Sequence, residues 1–140
     1  MDSQPGQKTT AAEAANIDPE PSSNLASTRA GGAATPIVLY CDLAIDPARE
    51  QEMLDRYHLR FKPVAETFEG YIDLKMVKLR KVLQGGPAPA PGVNYRFQLT
   101  YRSEELRQRW IASEAHAKCW PLIEDTVLNR DYLVLLTEVV

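Results

Sequence analysis

The stretch VNYRFQLTY, residues 93–101, constrains the fold more than any other. It sets Val93, Tyr95, Phe97, Leu99 and Tyr101 on one face of an extended chain and Asn94, Arg96, Gln98 and Thr100 on the other. A period of two is the signature of a strand with one face in a core. The alternation recurs from Ile37, where Ile37, Leu39, Cys41, Leu43 and Ile45 oppose Val38, Tyr40, Asp42 and Ala44. Further strands are expected where Ile72, Leu74 and Met76 alternate with Asp73 and Lys75, and over Tyr132–Val140, which is apolar on both faces for most of its length.

Between the strands the period changes to that of a helix. Asp46 and Pro47 form a helix start, because the carboxylate caps free N–H groups and proline at the first helical position loses nothing by lacking one. Met53, Leu54, Tyr57, Phe61, Val64, Ala65 and Phe68 follow at spacings of three and four, so an amphipathic helix is expected to about Thr67, kinked or broken in its last turn by Pro63. Gly70 reads as its stop. Ser103 caps a short helix over SEELRQRW, and Ser113 starts or restarts a second one expected to run through Leu128. QGGPAPAPG between the second and third strands is a stiff exposed loop.

The order β-α-β-β-α-β specifies an α+β fold, the ferredoxin-like split βαβ, with an antiparallel four-stranded sheet and both helical connections on one face. The last strand is then an edge, and the opposite face of the sheet is bare. An apolar edge strand left open invites aggregation, so a homodimer is expected.

Of the 140 residues, 1–36 are rich in Ala, Ser, Thr, Gly and Pro and almost free of large apolar side chains. Such a segment buries too little surface to offset its ordering entropy and is read as a disordered tail, leaving one domain over residues 37–140. The net charge is −3, of which the tail contributes −2, so the domain has no basic field for nucleic acid or an anionic membrane. No apolar run approaches the roughly 20 residues that cross a bilayer, and the polar N-terminus lacks the apolar core of a secretory signal, so a cytoplasmic location is expected. Cys41 and Cys119 are far apart and form no metal-binding spacing; buried reduced thiols are expected.

The stretch YRSEELRQRWIASEAHAKCWPLIED, residues 101–125, resembles antibiotic biosynthesis monooxygenase domains, which read aromatic-x-Ser-x-Glu, then a helix, then Ser-x-x-His with an aromatic residue one turn later. RFKPVAETFEGYIDLKMVKLR, residues 60–80, is similar to the first-helix end, glycine turn and second strand of that family. The resemblance covers residues 37–140. It implies a dimeric α+β barrel with a pocket between each sheet and its helices, and an activity among cofactor-free oxygenases of quinols and polycyclic phenols or haem-degrading enzymes. For a haem degrader, the family's strand asparagine, strand tryptophan and iron-ligating histidine fall here on Tyr40 or Asp42, on Tyr101 and on Trp120, so no imidazole stands where iron needs one.

Cofactor-independent monooxygenation of a quinol-like or polyphenolic molecule is therefore the leading reading. It needs a group that takes a phenolic proton and walls that shield the electron-rich anion while O₂ approaches. His116 suits the first task, because imidazole titrates near neutrality. Tyr95, Tyr101, Trp110 and Trp120 are the candidate walls for a small aromatic substrate, and Arg109 could hold a substrate anion. His116, Trp120, Ile123 and Val127 fall on one helical stripe, which serves equally as core packing. His58 reads as a solvated helix histidine. No cofactor or metal is expected, since nothing brings Cys119 and His116 to Cys41 or His58. The second reading is a non-catalytic module of the same fold, its pocket filled by its own side chains, serving dimerisation or small-ligand binding.

Overall fold

The computed structural model describes residues 35–140, and the expected tail lies, apart from Thr35 and Pro36, outside the described residues. Four strands form where apolar and polar residues alternate: β1 (Ile37–Leu43), β2 (Tyr71–Lys78), β3 (Tyr95–Tyr101) and β4 (Leu133–Glu138). They make one sheet in the order β2-β3-β1-β4, every neighbouring pair antiparallel. Leu39 lies opposite Leu99, and Cys41 opposite Phe97. These side chains share the face buried against the helices. The fold is the ferredoxin-like α+β arrangement, with β4 at one edge.

The helical connections are α1 (Glu50–Arg56), α2 (Lys62–Ala65), α3 (Glu104–Ala112) and α4 (Glu114–Glu124). Asp46 caps a 3-10 turn, Pro47–Arg49, that leads into α1; its carboxylate accepts from the Ala48 N–H at 2.9 Å. Pro63 does not break the first helix. A π-helical turn, Tyr57–Phe61, precedes it, and the Lys62 N–H reaches back to the Tyr57 carbonyl. Widening the helix there accommodates a proline that has no N–H and would otherwise press on the preceding turn. Tyr57 and Phe61 both stay buried.

Two other expectations are corrected. Ile72 is 47% exposed rather than core, because the β2–β3 register shifts between Tyr71 and Asp73, leaving Ile72 as an extra residue in a bulge. The core face of β2 is instead Tyr71, Leu74 and Met76. Helix α4 ends at Glu124, not Leu128, because the chain turns back along β1. The Asp46 N–H donates to the Thr126 carbonyl and the Leu128 N–H to the Ala44 carbonyl, each at 2.8 Å, so Val127 bridges to Ile45 rather than extending the helical stripe.

Gly70 is the glycine that the fold requires. Its φ is +98°, and a Cβ there would lie 2.8 Å from the Leu106 Cβ. This close approach seats α3 against the end of β3.

Candidate functional site

The site is built at the junction of α3 and α4. Ser113 ends one helix and caps the next: its Oγ donates to the Trp110 carbonyl at 2.6 Å and accepts from the His116 N–H at 3.1 Å. One side chain thereby fixes Trp110 relative to His116, whose rings meet edge to face with centroids 5.1 Å apart. Trp120, a turn later, lies nearly parallel to the imidazole, 6.2 Å away and tilted by 13°. Phe61, from the π-helical turn, wedges against Trp110, Trp120 and Phe97 at 6.0, 5.9 and 5.5 Å. Aromatic pairs of this kind add about 0.5–1.5 kcal/mol each beyond their buried area, so the layer over β3 is closely interlocked.

His116 is half-buried, and its ring makes no hydrogen bond to another described residue. Burial, aided by the nearby positive charge of Arg107, pushes its pKa down to about 4, so the imidazole is neutral at neutral pH. Trp120 is anchored at its other edge. Its Nε1 donates to the Tyr132 hydroxyl at 3.3 Å, and that hydroxyl donates to Glu124 Oε2 at 2.6 Å. Burial and the Glu124 carboxylate both hold the Tyr132 pKa well above its ordinary value.

The residues at the positions where the resembling haem degraders hold iron do not fit haem. An iron ligand needs a lone pair, and the Trp120 indole N–H offers none. Tyr40 and Asp42 lie on the opposite face of the sheet, where Arg96 binds Asp42 at 2.7 and 3.0 Å and stacks on Tyr40 at 4.9 Å.

Of the expected wall residues, Trp110 and Trp120 gather around His116, and Tyr95 does not. Tyr95 and Tyr101 stand at opposite ends of β3, six residues and about 20 Å apart. The Tyr95 hydroxyl donates to Glu50 Oε2 at 2.5 Å, and Lys78 pairs with the same oxygen at 2.6 Å. Tyr101 is fully buried, and its hydroxyl has no hydrogen-bond partner. Burial pushes its pKa up to about 12, against the opposing charge of Arg107.

Arg109 faces solvent and pairs with Glu105 at 3.4 Å. The inward arginine is Arg107, whose side chain is only 16% exposed and is held by Glu104. Adjacency to Trp110 favours Arg109 on paper; on a helix, the residue three positions before Trp110 shares its face, and that residue is Arg107. Tyr132, Glu124, Phe61 and Arg107 are thus the site residues that sequence reasoning missed.

Cys41 and Cys119 are both buried and free, and burial pushes their thiols up to about 12 and about 11. His58 is exposed, edge-on to Tyr57 at 4.9 Å. Among the described residues no three His, Cys, Asp or Glu side chains cluster as metal ligands would, and no helix is long and apolar enough to cross a membrane. A groove of about 440 Å³ runs between the first helical connection and α4, lined by Arg60, Val64, Glu114, Ala115, Lys118, Cys119 and Leu122.

No family model matches the sequence, and no curated protein matches it. Solved structures do resemble the fold. A candidate antibiotic biosynthesis monooxygenase from Caulobacter crescentus is 12% identical, with 86% of this chain and 99% of that one covered and a TM-score of 0.60. A dimeric ferredoxin-like protein of unknown function from Jannaschia is 13% identical, with 74% and 99% covered and a TM-score of 0.61. A haem-degrading protein from Mycobacterium tuberculosis, in its haem-free form, is 20% identical over 76% and 93%, with a TM-score of 0.50. The chain therefore has a ferredoxin-like fold like that of candidate antibiotic biosynthesis monooxygenases.

Proposed function

We propose that this protein is a homodimeric, cofactor-independent monooxygenase that oxidises a quinol-like or polyphenolic small molecule beside His116. The observation that carries this reading is the half-buried imidazole, stacked on Trp120 with no hydrogen-bond partner among the described residues. The ring nitrogens are not spent on the described residues, so one can accept from a ligand hydroxyl while the ring stays seated beside Trp110 and Trp120. The similarity in fold to candidate monooxygenases supports the choice of chemistry.

The reaction balances without a cofactor. A dihydroxynaphthalene and O₂ give a hydroxynaphthoquinone and water, with one oxygen atom kept by the ring and the other reduced. His116, neutral at pH 7, accepts the hydrogen bond of the substrate hydroxyl. As the ring loses electron density to O₂ that hydroxyl becomes strongly acidic, so a weak base suffices to take its proton. Trp110 and Trp120 bound the ring and exclude water.

The same reading places a second copy over β4, in a cytoplasmic setting that keeps both thiols reduced. All of β4 is exposed, with Leu133 at 57% and Leu136 at 51% on opposite faces. An apolar strand so uncovered is an association surface.

Oxygen uptake with a dihydroxynaphthalene, corrected for autoxidation, tests the activity. His116→Ala is expected to lower turnover by about 10²-fold or more. Turnover unchanged by that substitution removes the assignment. The interlocking of Phe61, Phe97, Trp110 and Trp120 favours the alternative, a non-catalytic module of this fold whose interior is filled by its own side chains. Ligand binding without oxygen uptake would select that alternative.

A further inference from the structure

The helix layer carries a concave feature that the rings around His116 do not use. The first helical connection and α4 leave a groove of about 440 Å³ between them, within the range of about 300–1,000 Å³ common for small-ligand sites. It opens to solvent, since Arg60, Glu114 and Lys118 at its rim are exposed. Its walls are two helical stripes. Arg60 and Val64 stand four residues apart on one helix, and Ala115, Cys119 and Leu122 follow at spacings of four and three on the other. From Ala115 to Leu122 the α4 wall runs for about 10 Å. Its floor is aliphatic apart from one thiol, with no aromatic ring in the lining. His116, Trp120 and Ile123 occupy the neighbouring stripe of α4 and are not among these walls.

Charge decides what such a trough can take. The other arginines of the first helical connection are committed. Arg49 pairs with Glu52 and Asp125, each at 2.8 Å, and Arg56 pairs with Glu52 at 2.5 Å while its Nη1 donates to the Leu122 carbonyl at 3.0 Å. Arg60, one turn beyond Arg56, has no ion-pair or hydrogen-bond partner among the described residues. The one carboxylate of the lining, Glu114, is paired with Lys118 at 3.2 Å, and both side chains are largely exposed. A free guanidinium at the rim of an aliphatic trough matches an anion with an aliphatic body. The guanidinium fork fits a carboxylate, and the hydrocarbon leaves water against Val64, Ala115 and Leu122.

We infer that this groove binds a small aliphatic carboxylate, its head held by Arg60 and its chain laid along Val64, Ala115 and Leu122. Lys118 adds a second positive charge from the α4 wall, offset by Glu114. The site is separate from His116 and rests on neither reading of the protein's activity.

Octanoate, whose extended chain matches the length of the α4 wall, serves as the probe, with octanamide as its neutral counterpart. Titration calorimetry on the full chain at neutral pH is expected to show octanoate binding about fivefold or more tightly than octanamide, a preference that shrinks as salt is added. Arg60→Gln breaks no contact among the described residues and is expected to erase the preference while leaving octanamide affinity unchanged. Glu114→Gln, which removes the negative charge of the lining, is expected to tighten octanoate about twofold or more. Ala115→Phe fills the groove and is expected to abolish binding of both probes; Arg60→Gln decides the matter if that variant does not fold. The methyl resonances of Val64, Ala115 and Leu122 are expected to shift on addition of octanoate, and those of Leu133 and Leu135 on the exposed strand β4 to stay in place.

Failure of octanoate to bind, equal affinity for the two probes, a preference that survives Arg60→Gln, or shifts centred on β4 overturns the site. Binding that depends on Arg60 in a chain that takes up no oxygen retains the groove and removes the oxygenase. Oxygen uptake that needs His116 in a chain that ignores octanoate does the reverse.

Discussion

The inner face of α4 and strand β4 are close in sequence and similarly apolar, yet they end in opposite states. Cys119 and Ile123 on α4 are sealed, with Trp120 held in a layer of rings. Every residue of β4 is exposed. The difference comes from where the helix stops. Residues 125–128 leave α4 to bond back along Ala44–Asp46, and the chain then enters β4 at the sheet edge, where β1 is its one strand neighbour. One apolar surface is completed within the chain, and the other waits for something outside it. Apolar composition alone does not distinguish the two; coverage does.

Substitutions can break this contrast. Trp110→Ala, in the sealed layer, should lower the unfolding free energy by about 3–5 kcal/mol, read from urea denaturation. A loss below about 1 kcal/mol would mean that the rings are not interlocked. Acid should act next most strongly. An unfolded chain protonates His116 near pH 6.5, whereas the folded chain keeps it neutral until about pH 4. The unfolded state therefore takes up the proton first, and stability contributed at neutral pH is lost as pH falls from 6.5 to 4, by up to about 3 kcal/mol. His116→Phe should flatten that slope in denaturation curves measured at a series of pH values.

A smaller effect of opposite sign is expected from Tyr101→Phe. Removing a buried hydroxyl with no partner should raise stability by about 1 kcal/mol. A decrease would show that the oxygen has a partner after all. Smallest is the uncovered surface: Leu135→Lys on β4 should change subunit stability by no more than about 0.5 kcal/mol while shifting sedimentation from dimer to monomer. If the purified wild-type chain already sediments as a monomer at high micromolar concentration, the second copy over β4 is removed from the proposal.

Most of the architecture is legible in the sequence. The alternation at β1 and β3 and the caps at Asp46, Ser103 and Ser113 all appear in the structure, whereas the first helical connection stops at Ala65 and Gly70 serves the turn into β2 instead. Departures arise where a neighbour overrides a local pattern. The bulge at Ile72 is a one-residue slip, invisible to a period-two reading that assumes perfect register. The π-helical turn before Pro63 is a widening within the helix that an even helical period does not reveal, and the early end of α4 reflects hydrogen bonds to another part of the chain.

The site was legible only in part. His116, Trp110 and Trp120 sit within a helical span whose spacing announces a shared environment. Tyr95 shares a strand face with Tyr101, yet position along a strand separates residues as effectively as facing does. Tyr132 and Arg107 carried weaker local signals, one preceding a strand and the other two residues from the arginine that adjacency suggested.

The sequence by itself determined the order of elements, their caps and the buried face of each central strand, because these depend on backbone periodicity and on contacts within a turn or two. Only the tertiary structure decided that Arg107 rather than Arg109 turns inward, that Trp120 is tied to Tyr132 and Glu124, and that Tyr95 stands apart from His116. Convergence between elements depends on how helices seat on the sheet, where a single bulged residue or a few ångströms of helix length changes which side chains meet.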